Sequence, residues 1–189
     1  MKPTYASVRK GYANLWEAAQ VLPKQRAATK TIVDKLAKNL DQYQAVAMVI
    51  GCPWWFVAII HSRESSGNFK THLHNGDPLT KRTTHVPAGR PAAGSPPFTW
   101  VESALDALKM DALEKVPSWE AARCLYEWER YNGWGYFGKI NSPYVWSFTT
   151  LYDRGKYVAD GVFDPEAVDK QCGAAAMLKM LVETGRAGV

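Results

Sequence analysis

The sequence contains few of the features that identify secreted or metal-binding proteins. Its three cysteines, Cys52, Cys124 and Cys172, lie far apart and form no Cys-x-x-Cys pair. Neither a disulfide framework nor a zinc ribbon is therefore indicated, and we expect buried, reduced thiols. No apolar run follows the basic residues at the N-terminus, so no cleavable secretory signal is visible and we expect synthesis in a cytoplasm.

Long apolar segments are also scarce. The uncharged run over residues 45–60 is shorter than the ~20 residues that a membrane span needs. Gly51 and Pro53 interrupt this run, and both residues disfavour a continuous helix. We therefore predict two core helices that meet at a tight turn, and no stable insertion in a membrane.

What the chain does have is apolar material, positive charge and aromatic rings. With 189 residues and 47% hydrophobic types it is long enough for one domain with a substantial core. Its net charge of +5 favours a polyanionic partner, which could be nucleic acid, anionic lipid or an acidic cell-wall polymer. Eight Trp, nine Tyr and six Phe exceed what such a core needs, and spare aromatic rings often stack on sugar faces.

Periodicity and turn residues predict a mainly α fold with a small loop or β-hairpin insertion. The predicted segments are helices over 5–50, 53–65, 99–110, 118–129 and 164–180, with loops over 67–97 and 131–144. The block after Pro53 is apolar nearly all round and should be the central helix. Thr99 and Glu102 fit a capping box, and Asp164-Pro165-Glu166 is typical of a helix start.

The strongest local signal is Glu64, which lies in the last turn of the predicted central helix and precedes Ser65-Ser66-Gly67. The negative end of the helix dipole and apolar neighbours favour the protonated form of an acid at such a position. A proton donor that works near neutral pH needs that environment. On spacing alone, Glu64 could equally be a solvated residue paired with Arg63.

Two motifs resemble the lysozyme-like superfamily, notably the soluble lytic transglycosylases and goose-type lysozymes. The segment Glu64-Ser65-Ser66-Gly67-Asn68-Phe69 looks like their catalytic-helix motif, in which the glutamate is the general acid. The segment Tyr131-Asn132-Gly133-Trp134-Gly135-Tyr136 is similar to the motif that lines their saccharide cleft. The resemblance covers residues 45–150, and the whole arrangement looks most like a phage endolysin or a prophage-derived muramidase.

This resemblance implies one lysozyme-like catalytic domain over residues 1–189, although residues 1–44 match it only loosely. It implies a peptidoglycan glycosidase that cleaves the β-1,4 bond between N-acetylmuramic acid and N-acetylglucosamine and so lyses bacterial cells. No metal or organic cofactor is required, a monomer is expected, and a separate holin would give access to the cell wall. Arg130 replaces the alanine common before the cleft tyrosine, and the 70–97 segment is long, which leaves hydrolase and lytic transglycosylase both open.

A second catalytic group is expected in the 67–97 segment. Asp77 follows Asn75-Gly76, and in lysozyme-like folds a carboxylate or a threonine from a hairpin at this place often faces the acid. We expect Asp77 to act as nucleophile or base, with Thr84, or Thr80 and Thr83, holding a water. The alternatives are that Asp77 only caps a turn, and that Glu64 acts alone as in the lytic transglycosylases, giving an anhydro product.

The remaining predicted site residues would bind the glycan. They are His61, Ser66, Tyr131, Asn132, Gly133, Trp134, Tyr136 and Tyr144. A zinc-dependent amidase or peptidase built on His72, His74, Asp77 and His85 is a competing hypothesis, although no standard zinc-ligand spacing is present. A non-catalytic glycan-binding module is another. Nucleic acid is disfavoured, because few basic residues lie among the aromatic residues of the 131–146 segment.

Overall fold

The computed structural model describes residues 2–189, and it confirms the prediction of a mainly α fold. The helices are α1 (Tyr5–Ala18), α2 (Arg26–Ala37), α3 (Leu40–Ile50), α4 (Trp54–Ser65), α5 (Trp100–Met110), α6 (Ala121–Asn132), α7 (Pro143–Trp146) and α8 (Ala174–Glu183). The strands are β1 (Lys156–Ala159) and β2 (Val162–Asp164), which pair antiparallel as one hairpin. The contacts divide the chain into two compact units. We call residues 2–34 with 118–189 the first unit, and Lys35–Pro117 the second unit.

The second unit is built around α4, as predicted for the central helix. Every side chain from Trp55 to His61 is buried, because apolar residues occupy all faces of this stretch. Helix α3 packs against α4 and ends at Gly51, whose φ of 77° only glycine adopts without strain. The tight turn predicted between two core helices is therefore confirmed.

Helix α5 completes the second unit and begins with the predicted capping box. The Thr99 hydroxyl accepts a hydrogen bond from the Glu102 amide at 3.2 Å, and the Glu102 carboxylate accepts one from the Thr99 amide at 2.7 Å. The segment between α4 and α5 is a long loop with one antiparallel bridge between Thr71 and Pro78. This is the small insertion that the sequence predicts.

In the first unit, α1 packs against α6, and the short helix α7 packs against both α6 and α8. Trp128 of α6, Trp146 of α7 and Met177 of α8 are among its largest fully buried side chains. Gly173 precedes α8 where a Cβ would lie 2.6 Å from backbone atoms of Ser147. Only glycine allows this close approach of the two segments.

Two predicted boundaries in the first unit are wrong. Asp164 does not start a helix: it ends β2, and its carboxylate accepts hydrogen bonds from the amides of Glu166 and Ala167, which makes an isolated turn. Helix α8 begins ten residues later, at Ala174. Helix α6 begins at Ala121 and continues through Asn132, so it includes the first residues of the predicted 131–144 loop.

The three cysteines carry free thiols; Cys124 and Cys172 are buried and Cys52 is partly buried. Within residues 2–189, no single helix has the length and apolar content of a membrane span. Helices α3 and α4 together reach that length and apolar content, but the pair is bent by 112°. The assignment of residues 1–189 to one catalytic domain stays a prediction.

Candidate active site

Glu64 lies in the last turn of α4, on the most buried helix of the second unit. The helix ends because Ser66 adopts a left-handed conformation, with φ at 54°, and Gly67 follows with φ at 71°. The amides of Ser66 and Gly67 donate to the carbonyls of Ser62 and His61, both at 3.1 Å. Glu64 is partly exposed, in contrast to the fully buried stretch before it. The end of α4 therefore leaves Glu64 partly at the surface of the second unit.

His61, one turn before Glu64, is not placed to bind sugar. It has no exposed surface, and its ring packs against Phe69 and Trp100 with centroid distances of 4.7 and 4.6 Å. Its Nδ1 lies 3.0 Å from the Tyr43 hydroxyl. Burial lowers the pKa of His61 to about 4, so the ring is neutral near pH 7. The predicted glycan contact is corrected to a core contact, because no surface of this ring can touch a ligand.

Ser66, another predicted glycan contact, is exposed. Its carbonyl accepts a hydrogen bond from the Lys35 ammonium at 3.3 Å. Ser66 lies at the C-terminal end of α4, and its role in glycan binding stays a prediction.

Asp77 holds a turn of the inserted loop together. Its carboxylate accepts hydrogen bonds from the amides of Thr84 and His85, at 2.7 and 3.0 Å, and from the Thr84 hydroxyl at 3.3 Å. The His85 imidazole lies 2.5 Å away. The two amides, and then the imidazole, hold the pKa of Asp77 well below its usual range. These contacts fit the turn-capping alternative, and catalytic roles for Asp77 and Thr84 stay predictions.

The other loop histidines fasten the insertion to α5. His72 is buried, with Nδ1 2.8 Å from the Ser103 hydroxyl and Nε2 2.8 Å from the Lys81 carbonyl. His74 contacts Asp106 at 2.8 Å, and Arg90 pairs with the same carboxylate at 2.8 Å.

Both ring nitrogens of His72 and His74, and Nδ1 of His85, are thus engaged in hydrogen bonds. Across the part of the chain that the structure describes, no group of three or more His, Cys, Asp or Glu side chains is arranged to hold a metal ion. The donor chemistry of this loop argues against the zinc peptidase hypothesis.

In the first unit, the predicted glycan-binding motif lies at the end of α6. Tyr131 and Asn132 form its last turn, and Gly133 ends the helix with φ at 85°. Asn132 is exposed, and Tyr131 and Trp134 are partly exposed. The Trp134 ring contacts the rings of Tyr126 and Phe137, at 5.3 and 5.5 Å between centroids. Each of these three residues therefore keeps part of its surface in solvent, and their role in glycan binding stays a prediction.

Tyr136 and Tyr144 are packed inside the first unit. Only 9% of Tyr136 and 5% of Tyr144 is exposed. The Tyr136 hydroxyl accepts a hydrogen bond from the Tyr157 amide at 2.9 Å, which ties the 133–142 segment to β1. Their predicted role in stacking on sugar is therefore corrected to packing, because neither ring presents a face to solvent.

A carboxyl group that sequence reasoning missed, Glu129, lies in a cavity of the first unit. The cavity has a volume of about 520 Å³. Glu129 is only 4% exposed, and burial raises its pKa to about 8, against the opposing effect of the Ser142 hydroxyl. The sequence does contain a signal for this residue, because Glu129 lies on the apolar face of the amphipathic helix α6. An unpaired charge is unfavourable on such a face, so an acid there indicates an unusual environment.

No family model, curated protein or solved structure matches the chain. The functional assignment therefore rests on the chain's own residues and motifs. Among the acidic residues, Glu64 lies in the segment that resembles the catalytic-helix motif, at a partly exposed helix end. Glu129 instead lines a cavity and has a raised pKa.

Proposed function

We propose that this protein is a peptidoglycan-cleaving glycosidase of the lysozyme-like superfamily, with Glu64 as the general acid. The observation that carries the proposal is the position of Glu64. It is a partly exposed acid in the last turn of α4, separated by Ser65 from Ser66 and Gly67, whose positive φ angles end the helix. An acid held on a packed helix at a partly exposed position is suited to protonate a bound glycan.

In the proposed reaction, Glu64 gives its proton to the oxygen of the β-1,4 bond between N-acetylmuramic acid and N-acetylglucosamine. The bond from the muramic C1 to that oxygen then breaks, and an oxocarbenium-like centre forms. The Glu64 carboxylate next takes a proton from the attacking hydroxyl. Attack by water gives a reducing muramic end, and attack by the sugar's own 6-hydroxyl gives the anhydro product. Lytic transglycosylase activity is thus the alternative outcome at the same residue.

This scheme uses no step at Asp77, because the carboxylate of that residue already accepts four hydrogen bonds within its own turn. A single acid that acts first as donor and then as base agrees better with these contacts than a pair of carboxylates does. Tyr131, Asn132, Gly133 and Trp134 remain the predicted glycan-binding residues of the first unit. The basic net charge of +5 would favour approach to an acidic cell wall.

The test is Glu64→Gln, which keeps the shape of the side chain and removes the titrating proton. We expect near-complete loss of peptidoglycan clearing, because removal of a general acid costs about 10²–10⁴-fold in rate or more. Circular dichroism and thermal unfolding should match those of the parent, since Glu64 is partly exposed. Glu114→Gln, at an exposed position of the same unit, is the matched control and should clear at the parent rate.

Mass spectrometry of the products separates the alternatives. A reducing muramic end indicates a hydrolase, an anhydro-muramic end indicates a transglycosylase, and a freed peptide indicates an amidase or peptidase. Peptidoglycan binding without any soluble fragment would favour the non-catalytic module. The proposal is contradicted if the Glu64→Gln protein clears peptidoglycan at the parent rate, or if chelator abolishes the activity.

A further inference from the structure

The cavity beside Glu129 lies wholly within the first unit, along one side of α1. Its other walls come from the end of α6, the loop after it and α7. A volume of about 520 Å³ is within the range of small-molecule sites and leaves room for one substituted sugar ring. The lining includes Gly11, Tyr12, Glu129, Phe137, Lys139 and Trp146.

Gly11 opens the wall that α1 contributes. It lies inside the helix, on the same side as Ser7 and Leu15, which also line the cavity. The backbone does not require glycine here, because φ is not positive. Packing does not require it either, since a Cβ would meet no other side chain or segment within 4 Å. Because glycine inside a helix is less favourable than alanine, the helix gives up stability at a position where a missing side chain widens the cavity.

Phe137 gives the cavity an exposed aromatic ring. It is 40% exposed, and its ring stands nearly perpendicular to that of Trp134, at 83° and 5.5 Å between centroids. The Phe137 amide donates to the Trp134 carbonyl at 3.2 Å, which holds this turn. Exposed aromatic rings stack on the apolar face of a sugar ring. The cavity therefore adjoins the predicted glycan motif and adds a second ring to it.

Lys139 brings a positive charge to the same wall. Its ammonium donates to the Tyr157 hydroxyl at 2.7 Å, and that hydroxyl donates to the Gly135 carbonyl at 3.3 Å. Across residues 2–189, no carboxylate forms an ion pair with this exposed ammonium. An ammonium has three protons to donate, so it can bind Tyr157 and a ligand together. The wall thus holds a charge in one place and leaves it without a counterion.

No other side chain of the lining cancels this charge near pH 7. Glu129 is only 4% exposed, and burial raises its pKa to about 8, so it is mainly uncharged. Burial, and secondarily the nearness of Glu129, raises the pKa of Tyr12, so its phenol is neutral. The lining therefore has a net positive charge, which attracts an anionic group.

We propose that this cavity binds a muramic acid residue of the glycan strand, with Phe137 stacked on the sugar ring and Lys139 paired with a carboxylate. The choice of ligand rests on the proposed function, because muramic acid is the peptidoglycan sugar whose lactyl substituent carries a carboxyl group. The carboxylate belongs to the lactyl group itself or, where a stem peptide is attached, to that peptide. N-acetylglucosamine has neither group.

Four probes that differ only at the 3-oxygen of one sugar test the proposal. N-acetylmuramic acid carries the lactyl carboxylate there, its amide is uncharged, its alanine conjugate moves the carboxylate outward, and N-acetylglucosamine lacks the substituent. Binding is followed by the amide resonances of Gly11, Gly138 and Asn141 at the cavity. We expect N-acetylmuramic acid to bind with a Kd on the order of millimolar, about fivefold more tightly than its amide or N-acetylglucosamine. Tighter binding of the alanine conjugate would assign the carboxylate to the stem peptide, and weaker binding to the lactyl group.

Variants of Lys139 separate recognition of charge from structure. Lys139→Gln should bind N-acetylmuramic acid and its amide equally, whereas Lys139→Arg should keep the preference of the parent. Lys170→Gln, at an exposed position of the same unit outside the cavity, is the matched control and should bind as the parent does. A merely structural lysine would weaken binding of both probes by the same factor.

Two further variants test the space and the aromatic ring. Gly11→Leu fills the open wall and should weaken binding of all four probes by tenfold or more. Its Tm should not fall below that of the parent, because leucine favours the helix more than glycine does. Phe137→Ala should weaken binding of N-acetylmuramic acid and its amide by the same severalfold factor, since stacking does not depend on the carboxylate.

Several results would overturn the inference. They are equal binding of N-acetylmuramic acid and its amide by the parent, a preference that survives in Lys139→Gln, parent-like binding by Gly11→Leu, and no shift of the cavity resonances. The Glu64→Gln protein should bind all four probes as the parent does. Loss of clearing without loss of cavity binding, and the reverse, therefore distinguish a failure of this inference from a failure of the proposed glycosidase activity.

Discussion

The two units of the chain each remove a carboxyl group from water, and they do so in opposite ways. Asp77 in the second unit is 6% exposed, and its carboxylate accepts four hydrogen bonds. Glu129 in the first unit is 4% exposed, and one of its oxygens has no partner among the described residues. The pKa of Asp77 is lowered and that of Glu129 is raised to about 8. Burial alone therefore does not decide the charge of an acid; the hydrogen bonds it accepts do.

Two buried acids of α6 also differ in the partners of their carboxyl groups. Glu127 is also buried, at 1% exposed, but its carboxylate pairs with Arg123 at 2.8 Å and Arg130 at 2.6 Å. Two residues further along, Glu129 has no arginine. The helix thus stabilises one buried acid with two cations, whereas the next one lines a cavity and has a raised pKa.

The largest expected effect is the dependence of stability on pH that Glu129 causes. Its pKa is raised from 4.5 to about 8, so between these values the folded protein holds a proton that the unfolded chain releases. Stability therefore falls as pH rises through this window and changes no further above it. The expected loss is on the order of 4 kcal/mol. Urea unfolding at pH 5 and pH 9 measures it, and Glu129→Gln should remove it.

Glu127→Gln is the matched control for this measurement, on the same helix and equally buried. It leaves Arg123 and Arg130 without their carboxylate, so it should lower stability at both pH values. Because it keeps Glu129, the difference between pH 5 and pH 9 should remain as in the parent. Equal differences for the parent and Glu129→Gln proteins would contradict the raised pKa of Glu129.

The next largest effect is a loss of stability in the second unit, where buried polar groups form hydrogen bonds with one another. Ser103 is fully buried, and its hydroxyl accepts from the Leu73 amide at 3.2 Å and lies 2.8 Å from Nδ1 of His72. Ser103→Ala leaves both groups without that partner, which should cost about 2 kcal/mol. Thermal unfolding of this protein against Ser95→Ala, an exposed serine of the same unit, measures the effect. A loss no greater than that of Ser95→Ala would show that these bonds contribute little.

The sequence predicted the parts of the fold that depend on local pattern. The central helix, the turn at Gly51 and the capping box at Thr99 each follow from residues close together in the chain, and all three are confirmed. The false helix start at Asp164 shows the limit of that method. Its carboxylate makes the expected capping bonds, but the segment after it turns instead of continuing.

The candidate site was harder to predict, because the burial of a side chain and its hydrogen-bond partners depend on residues far apart in the chain. His61 was expected near sugar on helix spacing, but Tyr43, Phe69 and Trp100 enclose it. Glu129 was missed because its environment comes from Tyr12 and from Ser142, which no local motif links. The position of Glu64 at the end of α4 could be predicted, since it depends on one helix and its end.

The smallest expected effect concerns Asp77, the paired acid of the opening comparison. Its pKa is lowered from 3.8, so its contribution to stability is complete above that value and is lost as pH falls below it. Asp77→Ala should therefore unfold more easily than the parent at pH 6, and the difference between the two proteins should shrink progressively as pH falls below 3.8. The difference should be modest, because Thr84 and His85 are exposed and their amides can bind water once the carboxylate is gone. A constant difference between pH 6 and pH 3 would show that the carboxylate's charge has no part in holding this turn.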